Sequence, residues 1–355
     1  MRARLLAACL AGLLLAGPVA AKKGVDKEKS KPAVPDLLLE GGRKLSYERA
    51  FSSEQEVKPK LGFWTKVVDV VIGEPEFHQM VRPYGVTTDS RGRIIVTDPG
   101  AYGIHIFDFG KEKYKFISRR EKEKDSLVAP QCVTVDAQDN IYVTDSEAGK
   151  IFVFDPSGKF ARTIGSLKYG EGIFKRPTGI AVDSASQRIY VTDTLRNQIF
   201  VMDMQGSVLK KIGKNGTGKG EFNFPTELQM NADELTVVDA MNFRVQVLNK
   251  DGEFQYAIGK VNDDVGGMFR PKGVGFDSEG HLYVVDGMWS VVQVFDREGR
   301  LLYYFGQLGT DAGAFQLPTG IRIDANDRIY VVDSLNRRVQ VYHYYGVAQA
   351  AGRLH

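Results

Sequence analysis

The sequence predicts an all-β chain, a six-bladed β-propeller of four-stranded blades with an N-terminal closing strand and a short N-terminal helix. Three observations predict it. An Asp closing the pattern apolar-x-Val-x-Asp recurs at Asp98, Asp145, Asp193, Asp239, Asp286 and Asp333, at spacings of 47, 48, 46, 47 and 47 residues. A proline keeps the same beat at Pro83, Pro130, Pro177, Pro225, Pro271 and Pro318. Within a unit, short β-branched and aromatic runs such as "RPTGIAVD", "RIYVTD", "QIFVMD" and "KKIG" are separated by Asp, Gly, Ser and Asn turns. Four strands per unit and six concordant units make blades that pack face to face around a channel.

The chain begins differently. Arg2 and Arg4 precede an apolar run from Leu5 to Val19, and small residues follow in "GPVAAKKG". That is the layout of a secretory signal over 1–21, cleaved after Ala21, so the expected destination is the periplasm or the extracellular space. The run is short and broken by Gly12, Gly17 and Pro18, which argues against a retained membrane span. "LAAC" at 6–9 resembles a lipobox, but too few residues separate Arg4 from Cys9, and the apolar segment continues past it.

Cleavage removes two of the 47 basic residues and none of the 44 acidic ones, leaving 45 − 44 = +1, which gives no footprint for nucleic acid or an anionic membrane. Cys132 is then the sole cysteine, so no internal disulfide forms, and its apolar strand "QCVTV" marks a buried, inert thiol.

Residues 22–43 are Lys- and Pro-rich and read as a disordered linker. The sixth unit lacks a fourth strand, because only a tail, 346–355, follows "RVQVYHYY". Closure must therefore come from 44–81. "KLSYERAF" at 44–51 alternates apolar and polar and is the expected closing strand. Phe63, Trp64, Val67, Val68, Val71 and Ile72 fall on a helical stripe, so 60–72 is expected as an amphipathic helix against the propeller. The repeats occupy 82–345. Gly85, Gly179, Gly273 and Gly320 in the first strands are placed where blades crowd near the axis. Phe174, Phe222 and Phe315, with Met268, precede the prolines and are expected as wedges between blades.

The units resemble NHL repeats, which pair a Pro-x-Gly strand with a Val-x-Asp strand, an Asn-x-Arg turn and a Gln-Val-Phe strand. "VVDAMNFRVQVL" and "VVDSLNRRVQVY" match best. Unit one departs with "TDPGAYGIHIF" and a charged run, 111–125, expected as a solvated loop; unit five has "DGMWSVVQVF" in place of Asn-x-Arg. The whole chain is similar to exported bacterial NHL proteins. Fold alone does not give function.

The sixfold Asp is expected to accept amide hydrogen bonds in its own turn, with Arg244 and Arg338 pairing to Asp. The resemblance also reaches a metal-dependent lyase that completes peptide amidation through histidines. Here His78, His105, His281, His343 and His355 scatter over different blades, so no zinc site is expected. No Ser/His/Asp set, phosphate loop or basic stripe is present, and no cofactor is implied.

Function should lie where the repeats differ. At first-strand positions that elsewhere hold Gly, Cys, Thr or Ala, unit four has Glu227 and Gln229, and unit six has Arg322. These are channel candidates: a Glu227–Arg322 pair, a water-filled channel, or a small-ligand or ion site. On one face, the turns after the second strands place Tyr102, Arg196, Met241, Phe243, Met288, Trp289 and Arg337. Arg82, Tyr84, Arg176, Arg270 and Lys272 flank the prolines there. Aromatic, Met and Arg side chains together suit a partner-binding surface. The reading is an exported, monomeric, non-catalytic scaffold for an envelope or extracellular protein or peptide. The alternative is a Ca- or Zn-dependent hydrolase or lyase using the channel.

Overall fold

The computed structural model describes residues 34–57, 77–118, 126–166, 172–260 and 266–347. Six antiparallel sheets form the blades, each running outward from an inner strand: Val86–Thr88, Pro130–Val135, Pro177–Asp183, Pro225–Asn231, Pro271–Phe276 and Pro318–Ile323. Successive inner strands neighbour one another, and the sixth meets the first, which closes the ring. The second and third strands are buried on both faces, because every blade is covered by another on each side. Fourth strands such as Val208–Ile212 are mostly exposed.

Closure follows the expectation. Lys44–Phe51 pairs antiparallel with Arg338–Tyr345, Leu45 opposite Tyr344 and Phe51 opposite Val339. Leu45 joins the apolar cluster between blades five and six. Phe51 seals blade six to blade one, edge-on to Phe107 and Phe109 at 4.9 and 5.2 Å. Leu37–Leu38, within the stretch expected as linker, pairs with Leu45 and Lys44. The helix expected over 60–72 lies outside the described residues, as do 1–33 and 348–355.

One expectation fails. The charged run of unit one starts not as a loop but as that blade's fourth strand, Lys113–Ser118, paired with Gly103–Asp108. Its charge hid a period of two: half-buried Tyr114 and Phe116 pack against rings of the third strand, while Lys113 and Lys115 are exposed and the Lys115 ammonium donates to the Ser157 and Gly158 carbonyls of the next blade.

Both packing devices read from the repeat are present. A Cβ on Gly85, Gly179, Gly273 or Gly320 would sit 2.5–2.6 Å from a carbonyl oxygen of the next blade's inner strand. Phe222 and Phe315 are fully buried between blades. The glycine that follows the fourth strand explains itself here: Gly213 and Gly306 adopt φ of 83° and 92°, and a Cβ would stand 2.4 Å from the wedge ring.

Phe51→Ala removes a fully buried ring from the strand that pairs the N-terminal segment with the last blade, and we expect a loss of about 3–5 kcal/mol. Denaturant unfolding measures it; a loss below about 1 kcal/mol would mean that the strand closes nothing.

Candidate ligand site at the channel mouth

Each recurrent Asp is fully buried. Asp98 accepts from the amides of Val81 (2.6 Å), Arg82 (2.9 Å) and Ala101 (3.0 Å). Asp193 accepts from Lys175 and Arg176, and Asp286 from Phe269, Arg270, Met288 and Trp289. The carboxylate therefore does more than shape its own turn. It ties that turn to the loop entering the blade 16 or 17 residues earlier. Arg244 and Arg338 reach the Asp of their own blade at 2.9 and 2.8 Å. Gln246 and Gln340 donate to the same carboxylates at 3.0 Å, and buried His105 takes the equivalent place beside Asp98 at 3.3 Å. Burial opposes ionisation of Asp98, but the bonds from His105, Val81 and Arg82 outweigh it and hold the carboxyl below its usual range.

These ties put both loop sets on one face. Met241, Met288, Trp289 and Tyr102 are 53%, 57%, 44% and 50% exposed there. Val81, Leu195, Phe224, Phe269 and Leu335 are further exposed apolar groups of the same loops. Tyr102, Phe243 and Arg337 hold left-handed φ of 52–56° at a turn position where blades two and three use Gly149 and Asn197. Bulky residues are uncommon in that conformation. Phe243 leans on Phe269 at 6.2 Å. Arg196 is not free: it bonds Asp193 at 2.9 Å and the Ile173 carbonyl at 2.5 Å. Arg82 and Arg337 are exposed.

Inner-strand residues of all six blades line a cavity of about 180 Å³ with Glu227, Gln229 and Arg322 on its wall. The anticipated Glu227–Arg322 pair is absent. Glu227 instead accepts from the Cys132 thiol at 2.9 Å, so the two side chains that replace first-strand glycines meet in the channel. In the amide orientation that satisfies both neighbours, Gln229 donates to the Val274 carbonyl at 2.6 Å and accepts from Arg322 Nη1 at 3.2 Å. Arg322 Nε has no partner among the described residues.

Burial pushes the Glu227 carboxyl up to about 7. Burial, then the adjacent Glu227, pushes the Cys132 thiol well up, which makes it an inert hydrogen-bond donor. Tyr84 packs against the cluster around Cys132, and burial raises its phenol, with Cys132, Glu227, Arg176 and Arg270 all within electrostatic reach. Burial lowers the Lys272 ammonium, and repulsion from Arg270 and Arg176 lowers it further. Tyr84 and Lys272 thus stand within electrostatic reach of Cys132.

Sequence reading treated Cys132 as a core residue and missed its bond across the channel. It also missed an alternation: the residue before the proline is Arg82, Arg176 and Arg270 in blades one, three and five, but Ala129, Phe224 and Leu317 in blades two, four and six. Aligning the six units on their prolines exposes both signals. Among the described residues no group of three or more His, Cys, Asp or Glu converges as metal ligands would. His281 and His343 each sit against one carboxylate, Asp277 and Glu48.

The sequence matches the family described as 6-bladed beta-propeller over residues 115–187 and 180–258, and the NHL repeat over 315–342. The chain is an NHL-type six-bladed β-propeller. No curated protein matches it. Among solved structures it is similar to a virginiamycin B lyase from Staphylococcus aureus (14% identity, 85% of this chain and 99% of that one, TM-score 0.55). A Bacteroides thetaiotaomicron protein of unknown function is also similar (16%, 75% and 70%, 0.60), as is an auxiliary nutrient binding protein from that organism (13%, 75% and 70%, 0.57). At these identities the likeness is one of fold.

A folded carboxyl that titrates at about 7 makes stability depend on pH. The unfolded chain releases this proton near 4.5, so stability falls as pH rises from there to about 7. Glu227→Gln stays neutral throughout. We expect it to match wild type at pH 4 and to exceed it by about 2 kcal/mol at pH 8, a figure discounted for channel water. Urea unfolding at both values checks this; a variant equally offset at both pH values would show that no such titration exists. Cys132, for its part, should react with a thiol reagent only after unfolding. Rapid labelling of the native protein would contradict the Cys132–Glu227 bond.

Proposed function

We propose that this chain is an exported, non-catalytic binding platform whose proline-side face docks an envelope or extracellular protein or peptide. The observation that carries the reading is the concentration of exposed Tyr102, Met241, Met288 and Trp289 on loops pinned by buried carboxylates. Such side chains bury large area with few rotors, and the pinned loops lose little entropy on binding. The left-handed turn residues support it too, since Tyr102 and Arg337 stand where Gly or Asn would be less strained. The basic, apolar and small-residue layout of 1–21 supports export.

The second reading, a metal-dependent hydrolase or lyase in the channel, is favoured by one observation: Glu227, with its carboxyl at about 7, faces the 180 Å³ cavity. A divalent ion retained through purification and lost in Glu227→Gln would decide for it.

Cross-linked capture from the native cell envelope, with wild type and Trp289→Ala side by side, tests the platform. The expected result is a partner whose recovery falls tenfold or more in the variant while the melting temperature is unchanged. Equal recovery by both proteins overturns the assignment of this face.

A further inference from the structure

We propose that the channel binds a small hydroxycarboxylate, with the ligand's carboxylate on the Arg322 guanidinium and its hydroxyl on peptide groups of the inner strands. This goes beyond the docking of a partner on the proline-side face and does not rest on it. The site is the cavity of about 180 Å³ whose wall carries Glu227, Gln229 and Arg322. That volume corresponds to about six water molecules, so it admits a ligand of about four to six non-hydrogen atoms.

Arg322 is the cation of this wall, and it makes no ion pair among the described residues. Its Nη1 donates to the Gln229 amide oxygen at 3.2 Å, and its Nε is buried without a partner there. Asp324 acts on it from further off, and that carboxylate accepts instead from the Asn326 and Arg328 amides at 2.8 and 3.0 Å and from the Tyr330 hydroxyl at 3.0 Å. Burial accordingly pulls the guanidinium below its usual range. Elsewhere the chain pairs its shielded guanidiniums: Arg93 with Asp89 at 2.6 Å, Arg244 with Asp239 at 2.9 Å, Arg338 with Asp333 at 2.8 Å. A guanidinium withdrawn from water without a carboxylate is disfavoured, and a carboxylate supplied from outside relieves it. Burial also keeps Glu227 neutral below about 7, so the described lining then carries the positive charge of Arg322 alone and suits a monoanion.

The rest of the wall is peptide. Each inner strand ends its sheet and is hydrogen-bonded along one edge only. The cavity is lined by consecutive residues of these strands, 133–135, 180–182 and 228–230, which marks a backbone edge, since a single side-chain face would show every second residue. The Val274 carbonyl, which accepts from Gln229 at 2.6 Å, is one such group turned inward. A purely alkyl ligand would leave these donors and acceptors unanswered, whereas a hydroxyl can both give and accept. Gln229, held by Val274 and holding Arg322, is a positioning residue.

Isothermal titration of the purified protein at pH 6 with glycolate and with lactate, at ionic strength matched by sodium chloride, reads the site. Ligand-dependent melting reads it a second way, because a ligand bound only by the folded chain raises the transition. One saturable site is expected, with acetate and propionate about tenfold or more weaker. Arg322→Met should weaken glycolate about tenfold or more. Gln229→Glu sets a carboxylate of the chain's own against the guanidinium and should abolish binding, while its melting temperature reports that it folds. Trp289→Ala, which tests the docking face, should titrate as wild type, so the two readings fail separately. Acetate bound as tightly as glycolate overturns the assignment of a hydroxycarboxylate. Both Arg322→Met and Gln229→Glu titrating like wild type, or heats and melting that follow ionic strength alone, overturn the site.

Discussion

A carboxylate removed from water is strongly disfavoured unless donors surround it, and this chain buries one at the same place in all six blades. The donors come from two directions, the turn after the second strand and the loop that enters the blade. Each hydrogen bond to a charged group is worth about 1.5–3 kcal/mol, so a set of three or four fixes both loops more firmly than their own packing can. Everything on the proline-side face inherits its position from this one contact. Arg82, Arg176 and Arg270 start from amides bound to it, and so do Met288 and Trp289.

The same contact explains why neighbouring residue types vary so freely. Asp239 and Asp333 draw a Gln and an Arg, Asp98 draws a His, and Asp193 draws Arg196 from the turn. What is kept is a donor at the carboxylate, and any side chain that supplies one serves. Arg196 is therefore held by the scaffold through Asp193 and the Ile173 carbonyl.

The repeat made the fold readable, because packing in a propeller repeats with the sequence: wedge, glycine, Asp and proline each recur at fixed offsets. The closing strand was readable for the same reason, since a missing fourth strand in unit six requires a substitute that alternates as Lys44–Phe51 does. Lys113–Ser118 was not, because four charges in eight residues mask an alternation that only pairing reveals. The site was half readable. Glu227, Gln229 and Arg322 stood out by breaking the repeat, but which of them meet depends on geometry across the channel. Blades two and four lie on either side of blade three, and no local pattern brings Cys132 to Glu227.

That pair shows how a symmetric ring acquires a unique centre. Four inner strands keep glycine because a side chain would strike the next blade. Two do not, and their side chains must then extend toward the axis, where burial disfavours a carboxylate. A thiol donor satisfies Glu227 without bringing a charge of its own, whereas an Arg or Lys there would ionise it. The carboxyl is thereby held neutral to about 7. The Cys–Glu pair leaves the channel one carboxyl whose charge depends on pH near neutrality.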